Sequence, residues 1–541
     1  MKRYLVASGL FFLVTSLCSS SCSKGNGPVK KDSTTIVITP IEPQATFNCT
    51  QQTERTDYQI YKMCNDGTRV GDINVYYDEQ SGQFNLYYLK NIWNDVANKR
   101  HPWYAFTTTD FTSYAETGEL LSCSADHCAQ DFAIGSGSVI KANGLFYVFY
   151  TGFNPHTDCS NIRKEGIMLA TSNYATTGFA KDASFTTLYA PKGVGYDEYD
   201  NFRDPYVFKD DASSLYYMLL SARKNVNGTW RGVITYYTST DLRNWNFKDV
   251  FYDGGNTNFF MMETPQLIKL GSIWYLIFSD SDSKYTYYRK VSSLSGTWDA
   301  PVDADRFDGK GIYAAKIAKD KNGNAYLFGW NYNTVDHTDA GAWMWGGNLI
   351  IHKISQKANN DLIVGLPESI RNYLSRNDNS LVRTTQTGNV TATATNSFNL
   401  NGSGTMANVV FNSPSSNRYV LNTTINYKSS FNDFGFMIGN CDASENFYSI
   451  RFVPSLNTLR FDTEKRSALN YTTVAKTSVP ITLSSNTDYK VTMVVENSIA
   501  VVYVNDAVAL TCRIYKSIGT SWGIFADNSE VAFNNISLKT P

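Results

Sequence analysis

Three carboxylates stand at matched places in a repeated pattern, and their types suit acid–base chemistry. Asp72, Asp204 and Glu263 each precede an aromatic strand sequence by about a dozen residues. One carboxylate can attack a carbon or activate water while a second protonates a leaving oxygen, which is the chemistry of glycoside cleavage. A lone Asp or Glu is usually a solvated surface group. Three acids at matched positions predict one shared site.

The neighbours of these acids predict their protonation. Arg203 adjoins Asp204 and is expected to keep that carboxylate ionised, since a nearby cation favours the charged form. Glu263 follows Met261 and Met262. Apolar surroundings are expected to raise the pKa of Glu263 and keep it protonated for an acid role.

A repeated aromatic strand predicts the elements that position the acids. Its copies recur at intervals of roughly 50–70 residues, the length of a four-stranded propeller blade with generous loops. The five copies lie at 84–88, 146–150, 216–220, 274–278 and 325–329. The sequence therefore predicts an all-β chain with a five-bladed β-propeller over residues 46–365, whose blades bring the acids to one funnel. The alternative is a large β-sandwich with unrelated aromatic strands.

The last third of the chain has a different texture. After a predicted linker at 366–381, residues 382–541 are rich in Thr, Asn, Ser and Val in short alternating strands, such as 419–427 and 489–496. Short, regularly spaced alternating strands without helix patterns predict a C-terminal β-sandwich domain.

The order and spacing of the motifs resemble glycoside hydrolase family 32, the invertase, levanase and inulinase family. The resemblance rests on Asp72-x-Asn74, Arg-Asp-Pro at 203–205 and Glu-x-Pro at 263–265. It extends to further segments, namely Gly-Ser-Gly-Ser at 135–138, Tyr-Thr-Gly at 150–152, Ile-Tyr-Ala-Ala at 312–315, Gly-Trp at 329–330 and residues 503–515.

The resemblance implies a retaining hydrolase of β-fructosyl linkages in fructan, fructo-oligosaccharide or sucrose-type substrates. Asp72 would be the nucleophile, Glu263 the general acid and then base, and Asp204 a stabiliser of the transition state. Retention would place the carboxyls of Asp72 and Glu263 about 5–5.5 Å apart. No metal or organic cofactor is implied. Linkage preference, and exo or endo action, stay open.

Five further residues are candidates for substrate binding. Asn74, Ser136, Arg203 and Trp330 are expected to line the pocket, and Trp103 is expected to stack on a sugar face. For the two tryptophans, packing in the core is an equal alternative.

The chain also departs from the family pattern. The family's Trp-Met-Asn-Asp-Pro-Asn-Gly is Arg-Val-Gly-Asp-Ile-Asn-Val at 69–75, so the Trp and the Pro are both lost. The family's Phe before Ser-Gly-Ser is Gly135, and the Cys after the acid/base Glu is Thr264. The carboxylates remain while the apolar wall of the sugar pocket changes. The retained carboxylates therefore predict glycoside cleavage, while the changed wall bears on the specificity for fructose.

Two other functions remain open. A five-bladed arabinanase or xylosidase-type hydrolase would also use two Asp and one Glu, with carboxyls more than about 6.5 Å apart to admit an inverting water. A non-catalytic surface glycan-binding lipoprotein would have no need for an acid beside a nucleophile.

The N-terminus predicts export and a lipid anchor. Lys2 and Arg3 precede an apolar run at 4–17, as in a secretory signal peptide. The Ser- and Cys-rich sequence that follows resembles a bacterial lipoprotein signal over residues 1–22, with Cys22 as the lipidated residue and Cys18 as the alternative. Ordinary cleavage without a lipid is the other reading. Residues 23–45 read as a flexible tether, so the protein would face the periplasm or the outer membrane surface.

Net charge and the Cys and His residues limit the kinds of partner, disulfide and metal site that the sequence predicts. The net charge is −1 without a long basic or acidic run, which argues against nucleic acid and leaves the lipid as the membrane contact. In an oxidising compartment, the candidate disulfides are Cys123–Cys128 and Cys49–Cys64. The five His are scattered and His127 lacks a recognisable set of partners, so no metal site is predicted.

Overall fold

The computed structural model describes residues 55–92, 100–160, 162–302, 304–440, 445–515 and 521–541. Within these ranges the chain forms thirty-two β-strands and one α-helix, which confirms the all-β class. None of the helices in the described ranges is long and apolar enough to span a membrane. The predicted signal peptide, the tether, Cys22 and Cys49 lie outside the described residues.

Residues 69–365 form five groups of antiparallel strands, numbered I to V, each built from consecutive strands. Group I contains β1 Arg69–Asp78, β2 Gln83–Asn91, β3 Trp103–Thr108 and β4 Ala115–Glu116. Group II contains β5 Ala133–Ala142, β6 Leu145–Phe153, β7 Glu165–Ser172 and β8 Ala180–Lys181. Group III contains β9 Phe202–Lys209, β10 Tyr216–Val226, β11 Thr229–Ser239 and β12 Asn246–Tyr252. Group IV contains β13 Met262–Leu270, β14 Ile273–Asp280 and β15 Thr286–Val291. Group V contains β16 Tyr313–Lys319, β17 Ala325–Thr334, β18 Trp343–Gln356 and β19 Leu362–Gly365.

The five groups are arranged around their first strands. Each aromatic repeat of the sequence is the second strand of its group, and the acids lie on first strands. First strands contact one another in a cycle, β1 with β5, β5 with β9, β9 with β13, β13 with β16 and β16 with β1. A bridge between Val70 and Gly347 also joins groups V and I into one sheet. Side chains from all five first strands can therefore reach one axis.

Each first strand carries a β-bulge at the same point. The register with the second strand shifts there, so that two residues oppose one. The bulged pairs are 72–73, 135–136, 204–205, 264–265 and 314–315. In groups III and IV the second bulged residue is Pro205 or Pro265, and a bulge is a place where a strand tolerates a residue without an N–H.

Four of the bulges force an unusual backbone conformation. Asp72, Asp204, Thr264 and Ala314 have φ values of 32°, 61°, 49° and 50°. Positive φ is uncommon for residues other than glycine and is stored mostly at functional positions. The bulges therefore interrupt the regular alternation of side chains where the five first strands meet.

The predicted linker is ordered and packed. Helix α1 spans Glu368–Leu374 directly after Pro367. Its residues Ile370 and Leu374 are fully buried in an apolar cluster that also contains Val494 from the C-terminal region. The connection between the two regions is therefore part of the core.

Residues 377–540 form one thirteen-stranded antiparallel sheet. Its strands are β20 Asn377–Asn379, β21 Arg383–Thr387, β22 Asn389–Ala394, β23 Ser397–Asn401, β24 Ala407–Asn412, β25 Arg418–Ile438, β26 Tyr448–Val453, β27 Thr458–Asp462, β28 Thr477–Pro480, β29 Asp488–Glu496, β30 Ile499–Val504, β31 Val508–Arg513 and β32 Ser521–Thr540. Three short 3₁₀ helices lie at Val335–His337, Pro454–Leu456 and Arg466–Ala468.

Two long strands organise this sheet. β25 and β32 pair along most of their length, with register shifts in β25 between residues 422 and 424 and again between residues 427 and 433. Before residue 427 β25 also pairs with β29, and after residue 433 it pairs with β26. Apolar side chains from all these strands meet in one cluster that includes Leu421, Phe436 and Trp522. The sheet thus folds around one main core, beside a smaller apolar cluster that includes Met437 and Phe525.

Buried polar contacts fasten the first described segment to the C-terminal sheet. The carboxylate of Glu496 in β29 is fully buried. It accepts hydrogen bonds from the backbone N–H groups of Gln59 at 2.6 Å, Ile60 at 2.9 Å and Tyr61 at 2.7 Å. Arg418 donates to the same carboxylate at 2.6 Å. Four donors thus depend on one side chain.

We expect Glu496→Ala to lower the free energy of unfolding by about 3 kcal/mol, because it removes the acceptor of three backbone N–H groups, two of them in buried residues, and the ion-pair partner of the partly buried Arg418. Urea denaturation followed by circular dichroism measures the change. The control is Glu530→Ala, which removes an exposed pair with Lys428 and should cost less than about 1 kcal/mol. Equal denaturation midpoints for the two variants would contradict this account.

Candidate active site

The structure brings Asp72, Asp204 and Glu263 together at one cavity of about 680 Å³. The three residues come from the first strands of groups I, III and IV. Ser136 and Arg203 line the same cavity. The predicted convergence of the carboxylates is therefore present in the fold.

The two aspartates occupy equivalent positions in their strands, and the glutamate does not. Asp72 and Asp204 are both the first residue of a bulged pair. In group IV that position is Thr264, and Glu263 lies one residue earlier. By register, Glu263 therefore corresponds to Arg203. The glutamate reaches the cavity from the residue before the bulge.

Asp72 is held by an indole and carries a raised pKa. The Nε1–H of Trp330 donates to its Oδ1 at 3.0 Å. Burial, together with the negative charges of Asp204 and Glu263, raises the pKa of Asp72 to about 7, against the opposing effect of the Trp330 hydrogen bond. Asp72 is thus a carboxyl that titrates near neutral pH.

Asp204 is fixed by its neighbours on two sheet groups. Its Oδ2 accepts a hydrogen bond from the backbone N–H of Thr264 at 2.9 Å. Its own N–H donates to Oγ1 of Thr151 at 2.9 Å. Burial raises the pKa of Asp204 although the charge of Arg203 opposes it. The charge of Arg203 thus favours the ionised form of Asp204, as expected, but burial has the larger effect on the pKa.

The Arg203 side chain is directed toward two glutamates. Its guanidinium donates to Glu165 at 3.0 Å and to Oε1 of Glu263 at 2.6 Å. Burial alone would raise the pKa of Glu263, but the charge of Arg203 and a hydrogen bond from the Tyr313 hydroxyl bring it below its usual value. The expected raised pKa of Glu263 is therefore wrong, because the charge and hydrogen bonds of Arg203 and Tyr313 outweigh the effect of burial. Met262 packs into the core of groups III and IV.

A buried lysine lies beside the two aspartates. The Nζ of Lys316 donates to the carbonyl of Gly137 at 2.9 Å and to Oδ1 of Asn74. Burial lowers the pKa of Lys316 to about 8, while the charges of Asp204 and Asp72 favour its protonated form. The sequence signal for this residue was a lysine inside the otherwise apolar segment that follows Tyr-Ala-Ala at 313–315.

The other predicted binding residues divide into two sets. Ser136 and Arg203 line the cavity, and among the described residues the Ser136 hydroxyl has no hydrogen-bond partner. Asn74 and Trp330 are buried and do not line it. Asn74 donates to the Asp72 carbonyl at 3.2 Å, so both residues support the position of Asp72.

The stacking role expected for Trp103 is wrong. Its side chain is fully buried in the core between groups I and II, where it packs near Tyr87. Its Nε1–H donates to the carbonyl of Gly135 at 3.2 Å. No face of this indole is available to a sugar.

Two features of the cavity lining were not predicted from the sequence. Glu165 is buried and holds the Arg203 guanidinium. Trp343 and Trp345 of β18 line the cavity. The signal for the two tryptophans was Trp-Met-Trp ahead of Gly-Gly at 343–347, a bulky pair next to residues that permit a bend. Glu165 gave no local signal.

The disulfide differs from the expected one. Cys128 pairs with Cys159, with a Cα–Cα distance of 5.3 Å, and Cys64 and Cys123 are free thiols. Cys123 packs instead against the apolar core between groups I and II. The Cys123–Cys128 prediction is therefore wrong.

The same disulfide brings His127 into a cluster that the sequence did not reveal. The His127 and His156 ring centroids lie 3.8 Å apart, and Nε2 of His127 is 3.1 Å from the Asp158 carboxylate. These three side chains are, within the described ranges, a set whose ligand atoms are close enough to hold a metal ion. The expectation that His127 lacks partners is wrong.

Fold and cavity together define an all-β protein with a carboxylate-lined site of the kind that glycoside hydrolases use. The family models agree. Residues 70–364 match the glycosyl hydrolases family 32 N-terminal domain, and residues 361–538 match the GH32, BT1760-like, C-terminal domain. The chain belongs to glycosyl hydrolase family 32.

Known relatives are distant in sequence. A raffinose invertase of Escherichia coli is 25% identical over 252 residues, which cover 45% of this chain and 49% of the relative. A sucrose-6-phosphate hydrolase of Staphylococcus xylosus is 25% identical over 240 residues, which cover 42% of this chain and 46% of the relative. The chain thus spans about half the length of the curated relatives it matches.

The similarity in fold covers more of the chain than the similarity in sequence. The structure of an exo-inulinase from Aspergillus awamori superposes with a TM-score of 0.67 at 15% identity, covering 90% of this chain and 99% of that chain. At this identity the likeness concerns the fold alone.

The raised pKa of Asp72 predicts a pH-dependent cost to stability. Because its pKa rises from 3.8 to about 7, the folded protein keeps a proton that the unfolded chain releases. The free energy of unfolding therefore falls as the pH rises from about 4 to 7. We expect Asp72→Asn to raise the thermal unfolding midpoint by about 1–3 °C at pH 8 and less at pH 5.

Asp78→Asn is the matched control, since Asp78 lies on the same strand and its pKa is lowered. It should not raise the midpoint at either pH. Scanning fluorimetry at the two pH values tests both variants, and a lower midpoint for Asp72→Asn at pH 8 would refute the electrostatic explanation.

Proposed function

We propose that the chain is a retaining glycoside hydrolase that cleaves β-fructosyl linkages in sucrose, fructo-oligosaccharides or fructans. The observation that carries the proposal is the meeting of Asp72, Asp204 and Glu263 at one cavity. Two acids and a stabilising third are what glycoside cleavage requires. Membership of glycosyl hydrolase family 32 supports the choice of a fructosyl substrate over a pentosan.

The three acids take different roles in this proposal. Asp72 attacks the anomeric carbon of the fructosyl unit, with its carboxylate oriented by Trp330 at Oδ1. Glu263 donates a proton to the leaving oxygen and then deprotonates the water that cleaves the glycosyl-enzyme. Asp204 binds sugar hydroxyls and stabilises the positive charge that develops on the ring. A separation of about 5–5.5 Å between the carboxyls of Asp72 and Glu263 stays a prediction.

The electrostatics require a proton transfer before the reaction. In the ligand-free site the pKa of Asp72 is raised and that of Glu263 is lowered. The reaction needs the opposite arrangement, an ionised Asp72 and a protonated Glu263. Arg203 and Tyr313 stabilise the ionised Glu263 and therefore oppose its protonation. The entering sugar must overcome this by displacing water from the cavity, which disfavours the charged carboxylate, so that the proton passes from Asp72 to Glu263. The pair then titrates as a unit with shared apparent pKa values.

The fold proposal matches this chemistry. Groups I to V would be the five blades of a β-propeller within residues 46–365, and the C-terminal sheet would be a two-layered β-sandwich within residues 382–541. The cyclic contacts of the first strands support the propeller. The change of partners along β25 supports the sandwich.

Product analysis tests the reaction. We expect the wild type to release fructose from sucrose, inulin or levan, and to leave arabinan and xylan intact. Asp72→Asn should lower kcat/KM by about 10³-fold or more, and Glu263→Gln by about 10²–10⁴-fold. The control is Asp78→Asn, outside the cavity. Fructose release that survives Asp72→Asn would remove Asp72 from its role, and activity confined to pentosans would overturn the substrate.

We also propose that the protein is exported and anchored by a lipid on Cys22. We expect Cys22→Ala to abolish labelling with a palmitate analogue and to move the protein from the membrane fraction to the soluble fraction of a bacterial host. Cys18→Ala is the matched control and should leave labelling intact. Loss of labelling in Cys18→Ala alone would assign the lipid to that residue instead.

A further inference from the structure

Gly71, next to Asp72, leaves a space that an aromatic side chain from another strand fills. A Cβ atom built on Gly71 would lie 2.0 Å, 2.3 Å and 2.6 Å from Cη2, Cζ2 and Cζ3 of Trp345. Side-chain atoms do not approach so closely, so any residue other than glycine would displace the indole. The six-membered ring of Trp345 therefore occupies the position above the residue that precedes Asp72.

A bulge in β18 directs Trp345 to this place. β17 and β18 pair as Tyr332 with Gly347 and Asn333 with Met344, which leaves Trp345 and Gly346 as extra residues. Gly346 has a φ of +77°, a conformation that glycine adopts readily. Bulges near active sites re-aim side chains. The bulge turns Trp345 from group V toward β1 of group I.

Aromatic neighbours hold the indole at the edge of the cavity. Its ring lies 4.4 Å from the His101 ring and 5.7 Å from the Trp330 ring, between centroids. Trp330 is the residue that donates to Asp72. Trp345 is half-buried and lines the cavity together with Asp72. The indole is thus packed against the support of the nucleophile while part of it faces the cavity.

We propose that Trp345 is the aromatic wall of the sugar subsite at Asp72, and that Gly71 is required because it makes room for this wall. The inference rests on the proposed function. β1 offers Arg69, Val70 and Gly71 ahead of Asp72, and Val70 is fully buried, so the strand itself supplies no aromatic surface there. Pockets that bind a ring present hydrophobic and aromatic side chains to its apolar face. Trp345 is thereby a specificity-determining residue supplied by a different strand group.

A double-mutant cycle tests the pairing of Gly71 with Trp345. We expect Trp345→Ala to lower kcat/KM for the cleaved fructoside by about 10–100-fold, and Trp345→Phe to recover part of that loss. Gly71→Ala should cause a similar fall because it pushes the indole away. The double variant should lose little beyond Trp345→Ala, since the clash is then gone and the two effects are not additive.

Trp298→Ala is the matched control. Trp298 packs against Phe251 with ring centroids 5.8 Å apart and does not line the cavity, so kcat/KM should stay within about twofold of the wild type. Additive losses in the cycle, or equal effects of Trp345→Ala and Trp298→Ala, would overturn the proposal.

A binding measurement separates a subsite role from a structural one. Titration with fructose should quench tryptophan emission in the wild type and in Trp298→Ala, and should quench it less in Trp345→Phe. Thermal unfolding midpoints identify any variant that fails to fold, and Trp345→Phe is the variant that retains an aromatic ring.

The two proposals can fail separately. If Asp72→Asn abolishes fructoside cleavage while Trp345→Ala has no effect on kcat/KM or on quenching by fructose, the hydrolase proposal stands and the role of Trp345 falls. If the wild type cleaves pentosans instead, the fructosyl proposal falls, and the same cycle measured on the cleaved pentosan decides the role of Trp345.

Discussion

The repulsion among carboxylates in one cavity is the constraint on which the rest of the site depends. Like charges in a partly buried space resist ionisation together, and opposite charges or hydrogen bonds must offset this. Arg203 offsets it on one side through Glu165 and Glu263, and Lys316 on the other beside the aspartates. The repulsion that remains, together with burial, raises the pKa values of both aspartates, that of Asp72 to about 7. A fold built for stability alone would not collect these groups.

The bulges of the first strands explain how the fold brings such groups together. A regular strand alternates its side chains between two faces, and each bulge breaks that alternation where the five strands meet. The same kind of bulge therefore places Asp72, Asp204, Thr264 and Ala314 in similar backbone conformations. Glu263 lies one residue before its bulge, at the position in group IV that Arg203 occupies in group III. Arg203 is also the residue that binds Glu263.

Local patterns in the sequence predict the acids and the strand repeats, because both depend on short stretches of chain. The direction of Arg203 and the burial of Trp103 could not be predicted, since each depends on which strand group packs alongside. Cys128 and Cys159 are 31 residues apart, and their pairing depends on loop geometry. Trp345 was missed for the same reason, although the glycines that follow it were visible. The features that the sequence alone does not reveal are those that depend on contacts between strand groups.

The attachment of residues 59–61 to Glu496 has a consequence for how the chain acquires its shape. These partners are about 436 residues apart along the chain. Contacts of such separation form late, since they require closure of a very long loop. During synthesis, the first segment must wait for nearly the whole polypeptide before its N–H groups find their acceptor. A ribosome-bound fragment that ends before β29 would therefore expose this segment to water and to chaperones.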